Sequence, residues 1–154
     1  MSEILYNAVS ATREAIESRG LALDVDVPDD LPVVWVDREA MGQVMTNLLS
    51  NAAKYGADGE WIGVKARVGL DTLDIMVSDH GIGIDPEDAD RIFEHFYRSS
   101  DPGVRRRKGT GIVLTIVRYI VEAHGGTITV DSTPGFGTTF TFTLPLEPPG
   151  TETT

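Results

Sequence analysis

Apolar residues between positions 38 and 55 recur at helical spacing. Val44, Leu48, Leu49 and Ala52 share one face, and Met45 and Ala53 border it. Asp37 stands where an N-cap belongs, and Gly56 stands where the helix should end. An earlier helix is predicted over residues 3–19 from Ile4, Leu5, Ala8, Ala11, Ala15 and Ile16, closed by Arg19-Gly20. Leu21, Leu23, Val25 and Val27 alternate with polar or small residues, the pattern of a strand with one buried face. Val33 to Val36, after Pro32, read as a short second strand.

Further along, residues 60–68 and 72–78 alternate as two strands around a Gly69-Leu70-Asp71 turn. A short helix is predicted over 86–97, ending in Phe93, Phe96 and Tyr97. Residues 98–110, polar and basic, read as a loop. A strongly apolar helix over 111–124 is stopped by Gly125-Gly126, and strands over 127–131 and 138–144 follow. Strands and helices alternate without regular βαβ units. The expected fold is therefore α+β, a mixed sheet with helices on one face. Residues 1–146 are expected to form one domain, with 147–154 a disordered tail.

Composition narrows the chemistry. The 154 residues carry a formal net charge of −11, which argues against a nucleic-acid or anionic-membrane surface. There is no cysteine, hence no disulfide, thiolate nucleophile or Cys-bound zinc. His80, His95 and His124 lack metal-ligand spacing. No apolar run reaches membrane-spanning length and no signal peptide is visible. The expected location is cytoplasmic, either free or as the cytoplasmic part of a membrane-bound protein.

Four stretches could carry chemistry. The predicted helix over 38–55 places Asn47 and Asn51 one turn apart on one face, with Lys54 and Tyr55 beyond. A carboxamide oxygen suits a small hard cation, although a core helix with polar edges would look the same. Asp79-His80-Gly81-Ile82-Gly83 follows a strand: either a tight turn, or a place where bare backbone approaches a flat ligand and Asp79 accepts from an exocyclic amine. Gly109-Thr110-Gly111 opens a helix, whose free N–H groups suit phosphate. Arg105, Arg106, Arg107 and Lys108 precede it, a basic run in an acidic chain.

In order, these stretches resemble the ATP-binding catalytic domain of sensor histidine kinases, within the wider family that includes gyrase, the Hsp90 chaperone and MutL. The matching boxes are residues 44–55, 79–84, 92–98, 109–114 and 135–138. The resemblance implies an α/β sandwich that binds ATP with Mg2+. It makes Asn51 the magnesium ligand with Asn47 in the same site, Lys54 and Arg98 phosphate contacts, and Tyr55 an aromatic beside adenine. It makes Asp79 the partner of the adenine amino group, with Gly81, Gly83 and Ile84 around the ring. Lys108, Gly109, Thr110 and Gly111 would surround the phosphates, and Thr138 would lie near the adenine end.

Two departures stand out. Val113 occupies a place where the family commonly has glycine, which keeps a regulatory ATP-binding module, a pseudokinase or an anti-sigma-type serine kinase, as an alternative. No histidine precedes residue 80, so the phospho-acceptor is expected in a separate dimerisation domain, with a response regulator downstream. Asn47 stands where the hydrolytic gyrase-like relatives carry a glutamate base, and an amide cannot act as one.

Overall fold

The computed structural model describes residues 2–28, 31, 32, 34, 36–55, 61–81, 110–133 and 135–146, and of residues 2, 54, 55 and 110–113 the backbone alone. In chain order the elements are α1 (Ser2–Ser18), β1 (Ala22–Asp26), α2 (Arg38–Tyr55), β2 (Trp61–Val68), β3 (Thr72–Asp79), α3 (Thr110–Ala123), β4 (Thr127–Thr133) and β5 (Gly137–Pro145). The strands form one mixed sheet in the order β1-β2-β3-β5-β4. β1 pairs with β2 in parallel, and the other ladders are antiparallel.

Alternation decides which face of the sheet is covered. Leu73, Ile75 and Val77 of β3 and Phe140, Phe142 and Leu144 of β5 are buried against the helices. The residues between them point the other way and carry many hydroxyls. Ser78 and Thr139 meet at 2.9 Å across one ladder, and Thr127 and Thr143 at 2.9 Å across another. Threonine suits a strand face that meets water, because it is β-branched yet polar.

The helices follow their patterns closely. Asp37 caps α2: its Oδ1 accepts the Ala40 N–H at 3.0 Å. Val44, Met45, Leu48, Leu49, Ala52 and Ala53 are all buried. α1 and α3 end in the same way. Gly20 (φ 80°) and Gly125 (φ 81°) adopt the left-handed conformation, and the next N–H reaches back to Ile16 O at 3.4 Å and to Val121 O at 3.0 Å. An exposed ion pair of 2.7 Å joins Arg38 to Glu3 and holds the Glu3 carboxyl below its ordinary value through its hydrogen bond to Arg38.

Three expectations need correction. Val34 and Val36 are not in a strand; Val34 instead packs into the core, and among the described residues the outer edge of β1 takes no ladder partner. In α1 the buried row is Ile4, Leu5, Ala8, Val9 and Ile16, whereas Ala11 and Ala15 are exposed. Thr110 belongs to α3 rather than to the preceding loop. The helix expected over 86–97, the loop over 98–109, the stop at Gly56 and the tail over 147–154 lie outside the described residues.

Candidate functional site

β3 carries the decisive side chain on its last residue. Alternation along β3 turns Asp79 toward the helices, where it is 7% exposed. Burial pushes its carboxyl above the ordinary value of 3.8, while the N–H groups of Gly81 and Thr138 and the neighbouring His80 pull the other way. The Gly81 N–H donates to Asp79 Oδ1 at 2.8 Å, which folds the chain back just past the strand. A carboxylate has about four acceptor positions, so capacity remains for a ligand.

Thr138 is the register partner of Asp79 on β5 and is likewise 7% exposed. Ser132 donates its hydroxyl to the Gly137 carbonyl at 2.9 Å and also lies 2.9 Å from Thr138 Oγ1. With the Ser132 hydrogen on Gly137, the hydrogen between the two hydroxyls comes from Thr138. Thr138 Oγ1 is thereby left as an acceptor, like Asp79 beside it. Ser132 escaped the sequence reading, because only the β4–β5 register brings it opposite Thr138.

Gly137 makes this junction possible. Its φ is 133°, and a Cβ there would collide with the Asp79 carbonyl oxygen. The bare residue lets the start of β5 lie directly against the end of β3.

α2 packs over β3 and supplies the amides. Asn51 is 9% exposed, and among the described residues its carboxamide has no hydrogen-bond partner. A buried amide without a protein partner costs about 1–3 kcal/mol unless something else satisfies it. Asn47, one turn earlier, is half-buried. Among the described residues no group of three or more His, Asp or Glu could hold a metal.

The helical backbone places Lys54 and Tyr55 in the last turn of α2, and Thr110 and Gly111 in the first turn of α3. Gly83, Ile84, Arg98, Lys108 and Gly109 lie outside the described residues. A concavity of about 330 Å³, lined by Trp61, Ser78, His80, Asp131, Phe136 and Thr139 among others, opens at this end of the sheet. Trp61 and His80 stack there with ring centroids 4.2 Å apart. Asp79, Ser132, Gly137 and Thr138 also line the concavity, so it adjoins the β3–β5 junction.

Sequence comparison agrees with this geometry. The family model described as histidine kinase-, DNA gyrase B- and HSP90-like ATPase matches residues 36–148. The chain belongs to that family. It is 37% identical over 142 residues to the sensor-like histidine kinase SenX3 of Mycobacterium bovis, covering 92% of this chain and 34% of SenX3. It is 41% identical over 124 residues to the sensor histidine kinase WalK of Bacillus subtilis, covering 79% of this chain and 20% of WalK. The chain thus spans about a third of one of these relatives and a fifth of the other.

Among solved structures, the mycobacterial sensor histidine kinase MprB superposes with a TM-score of 0.82 at 28% identity, over 96% of this chain and 97% of that one. Full-length ShkA in complex with AMPPNP superposes with a TM-score of 0.79 at 26% identity, over 93% of this chain and 29% of ShkA. The chain is accordingly an ATPase-type catalytic domain of the kind found in sensor histidine kinases, and its sheet-and-helix sandwich is the family's fold. Family membership carries ATP binding with it. No helix among the described residues is long and apolar enough to cross a membrane.

Proposed function

We propose that this domain, residues 1–146, binds Mg-ATP and donates the γ-phosphoryl group to a histidine on a dimerisation domain of its parent kinase, from which a response regulator receives it. The carrying observation is the acceptor pair at the β3–β5 junction, Asp79 with Thr138, under a helix whose buried Asn51 amide has no partner among the described residues. Two acceptors suit the 6-amino group of adenine. The AMPPNP complex of ShkA supports the same ligand class.

In this reading Asp79 and Thr138 hold adenine, with Gly81, Gly83 and Ile84 around the ring and Tyr55 beside it. Asn51 and Asn47 hold magnesium by their amide oxygens. Lys54, Arg98 and Lys108 neutralise phosphate charge, and Gly109, Thr110 and Gly111 offer backbone N–H groups at the start of α3. Magnesium, when bound, spreads the charge of the transferring phosphoryl group. The protein's share is positioning and electrostatics, because such transfer needs little covalent help. Asn47 cannot take a proton from water, so hydrolysis lacks a base.

Calorimetry with ADP, with and without magnesium, tests the site. Asn51→Ala should remove most of the magnesium-dependent gain in affinity and leave magnesium-free binding nearly unchanged. If magnesium dependence survives that substitution, Asn51 is not the metal ligand. A regulatory module is the alternative that Val113 keeps open, and a stable phosphoserine on a partner protein would select its serine-kinase form.

A further inference from the structure

His124 sits where α3 stops, and both of its ring nitrogens are engaged. Nδ1 lies 2.7 Å from the Ile120 carbonyl. A carbonyl can only accept, so Nδ1 carries the hydrogen. Nε2 lies 3.0 Å from the backbone nitrogen of Asp37. That N–H can only donate, so Nε2 is bare. The ring is therefore neutral, with its hydrogen on Nδ1.

The two bonds tie the end of one helix to the start of another. The first gives the Ile120 carbonyl, which already accepts the His124 N–H at 3.2 Å, a second donor and fixes the ring against the last turn of α3. The second serves the N-cap of α2. In a capping box the N-cap residue's own N–H is taken by a Glu or Gln three residues later. Here that place is Ala40, which has no acceptor. His124, 87 positions away in sequence, supplies the acceptor from another helix.

We propose that His124 is a positioning residue for the nucleotide site: it caps α2 from the end of α3 and fixes the register of the two helices along their axes. The end of α3 meets the start of α2, and the two helices pack on each other, so they run antiparallel. Their other ends are Asn51 to Tyr55 on α2 and Thr110 on α3. Those are the ends to which the proposed function gives magnesium and phosphate, and the inference rests on that reading. A 14-residue helix such as α3 is a rod about 21 Å long. Slip at the capped end is carried along the rod to the far end.

The test compares Mg-ADP with adenosine. Adenosine reads Asp79 and Thr138, which are borne by the sheet. The extra affinity of Mg-ADP reads the gap between α2 and α3. His124→Ala should weaken Mg-ADP about threefold to tenfold, the range of one lost hydrogen bond, and leave adenosine unchanged. Adding Ala40→Gln returns an acceptor to the Asp37 N–H within α2 but no link to α3. That double variant should regain the Tm lost on removing His124 and not the Mg-ADP affinity. Equal weakening of both ligands, no weakening of either, or full rescue by Ala40→Gln would overturn the positioning role. Nitrogen-15 spectra of the unaltered protein should show Nδ1 protonated and Nε2 bare; the opposite tautomer, or an average of the two, would overturn it whether or not the variants fold. Failure of the unaltered protein to bind either ligand would instead overturn the nucleotide reading, and the positioning role with it.

Discussion

A carboxylate buried at the end of a strand weakens the fold until a ligand donates to it. Asp79 binds its proton more tightly in the folded chain than in the unfolded one, chiefly because burial disfavours the charge. Its contribution to stability is therefore most favourable below the ordinary value of 3.8 and is lost as pH rises from there through the raised folded value. Asp79→Asn removes the penalty. The variant should be more stable than the parent above that window, with the difference closing as pH falls below it, which thermal melts across a pH series would show. The same variant should bind ADP about ten- to a hundredfold more weakly, because a carboxylate acceptor for the 6-amino group is gone. The unaltered domain should prefer ATP to GTP by a similar factor, since a 6-oxo group would face Asp79 and Thr138 with no hydrogen to give. Equal affinities in a competition assay would contradict the acceptor pair.

At the scale of elements, the β3–β5 junction depends on a single residue without a side chain. Gly137→Ala would drive a Cβ into the Asp79 carbonyl at a backbone angle that alanine rarely adopts. A loss of about 2–4 kcal/mol in denaturant unfolding is expected, with adenine affinity falling alongside. Elements whose signals are local were legible in the sequence. α2 shows its cap, its buried stripe and its paired amides within 18 residues, and the β2–β3 hairpin shows its turn. Val33 to Val36 had strand composition, but pairing depends on a neighbour that composition does not disclose. Ser132 and His124 were illegible as partners for the same reason. Each acts on a residue that only the sheet register or the antiparallel helix pair brings close.

For the whole molecule, the family match and the sandwich agree with the order of glycine and asparagine boxes that the sequence displays. Alone, the chain should neither label itself from ATP nor hydrolyse it appreciably. His80 is stacked on Trp61, and both nitrogens of His124 are committed to backbone groups. Supplying the parent's helical dimerisation segment in trans should produce an acid-labile, base-stable phosphoryl label on that segment. Vigorous hydrolysis by the chain alone would favour a gyrase-like ATPase instead. The ladder that joins Asp79 to Thr138 has a further consequence, for the time course of folding. β2–β3 and β4–β5 are hairpins between near neighbours, whereas β3–β5 pairs residues as distant as Thr72 and Pro145. Chain closure over such separations is slow compared with hairpin formation. The proposed adenine end of the site is thus absent from either hairpin and comes into being only when the two halves zip together. In stopped-flow refolding, strand signal should appear before the capacity to bind a fluorescent adenine nucleotide, so that nucleotide binding clocks the last step of assembly.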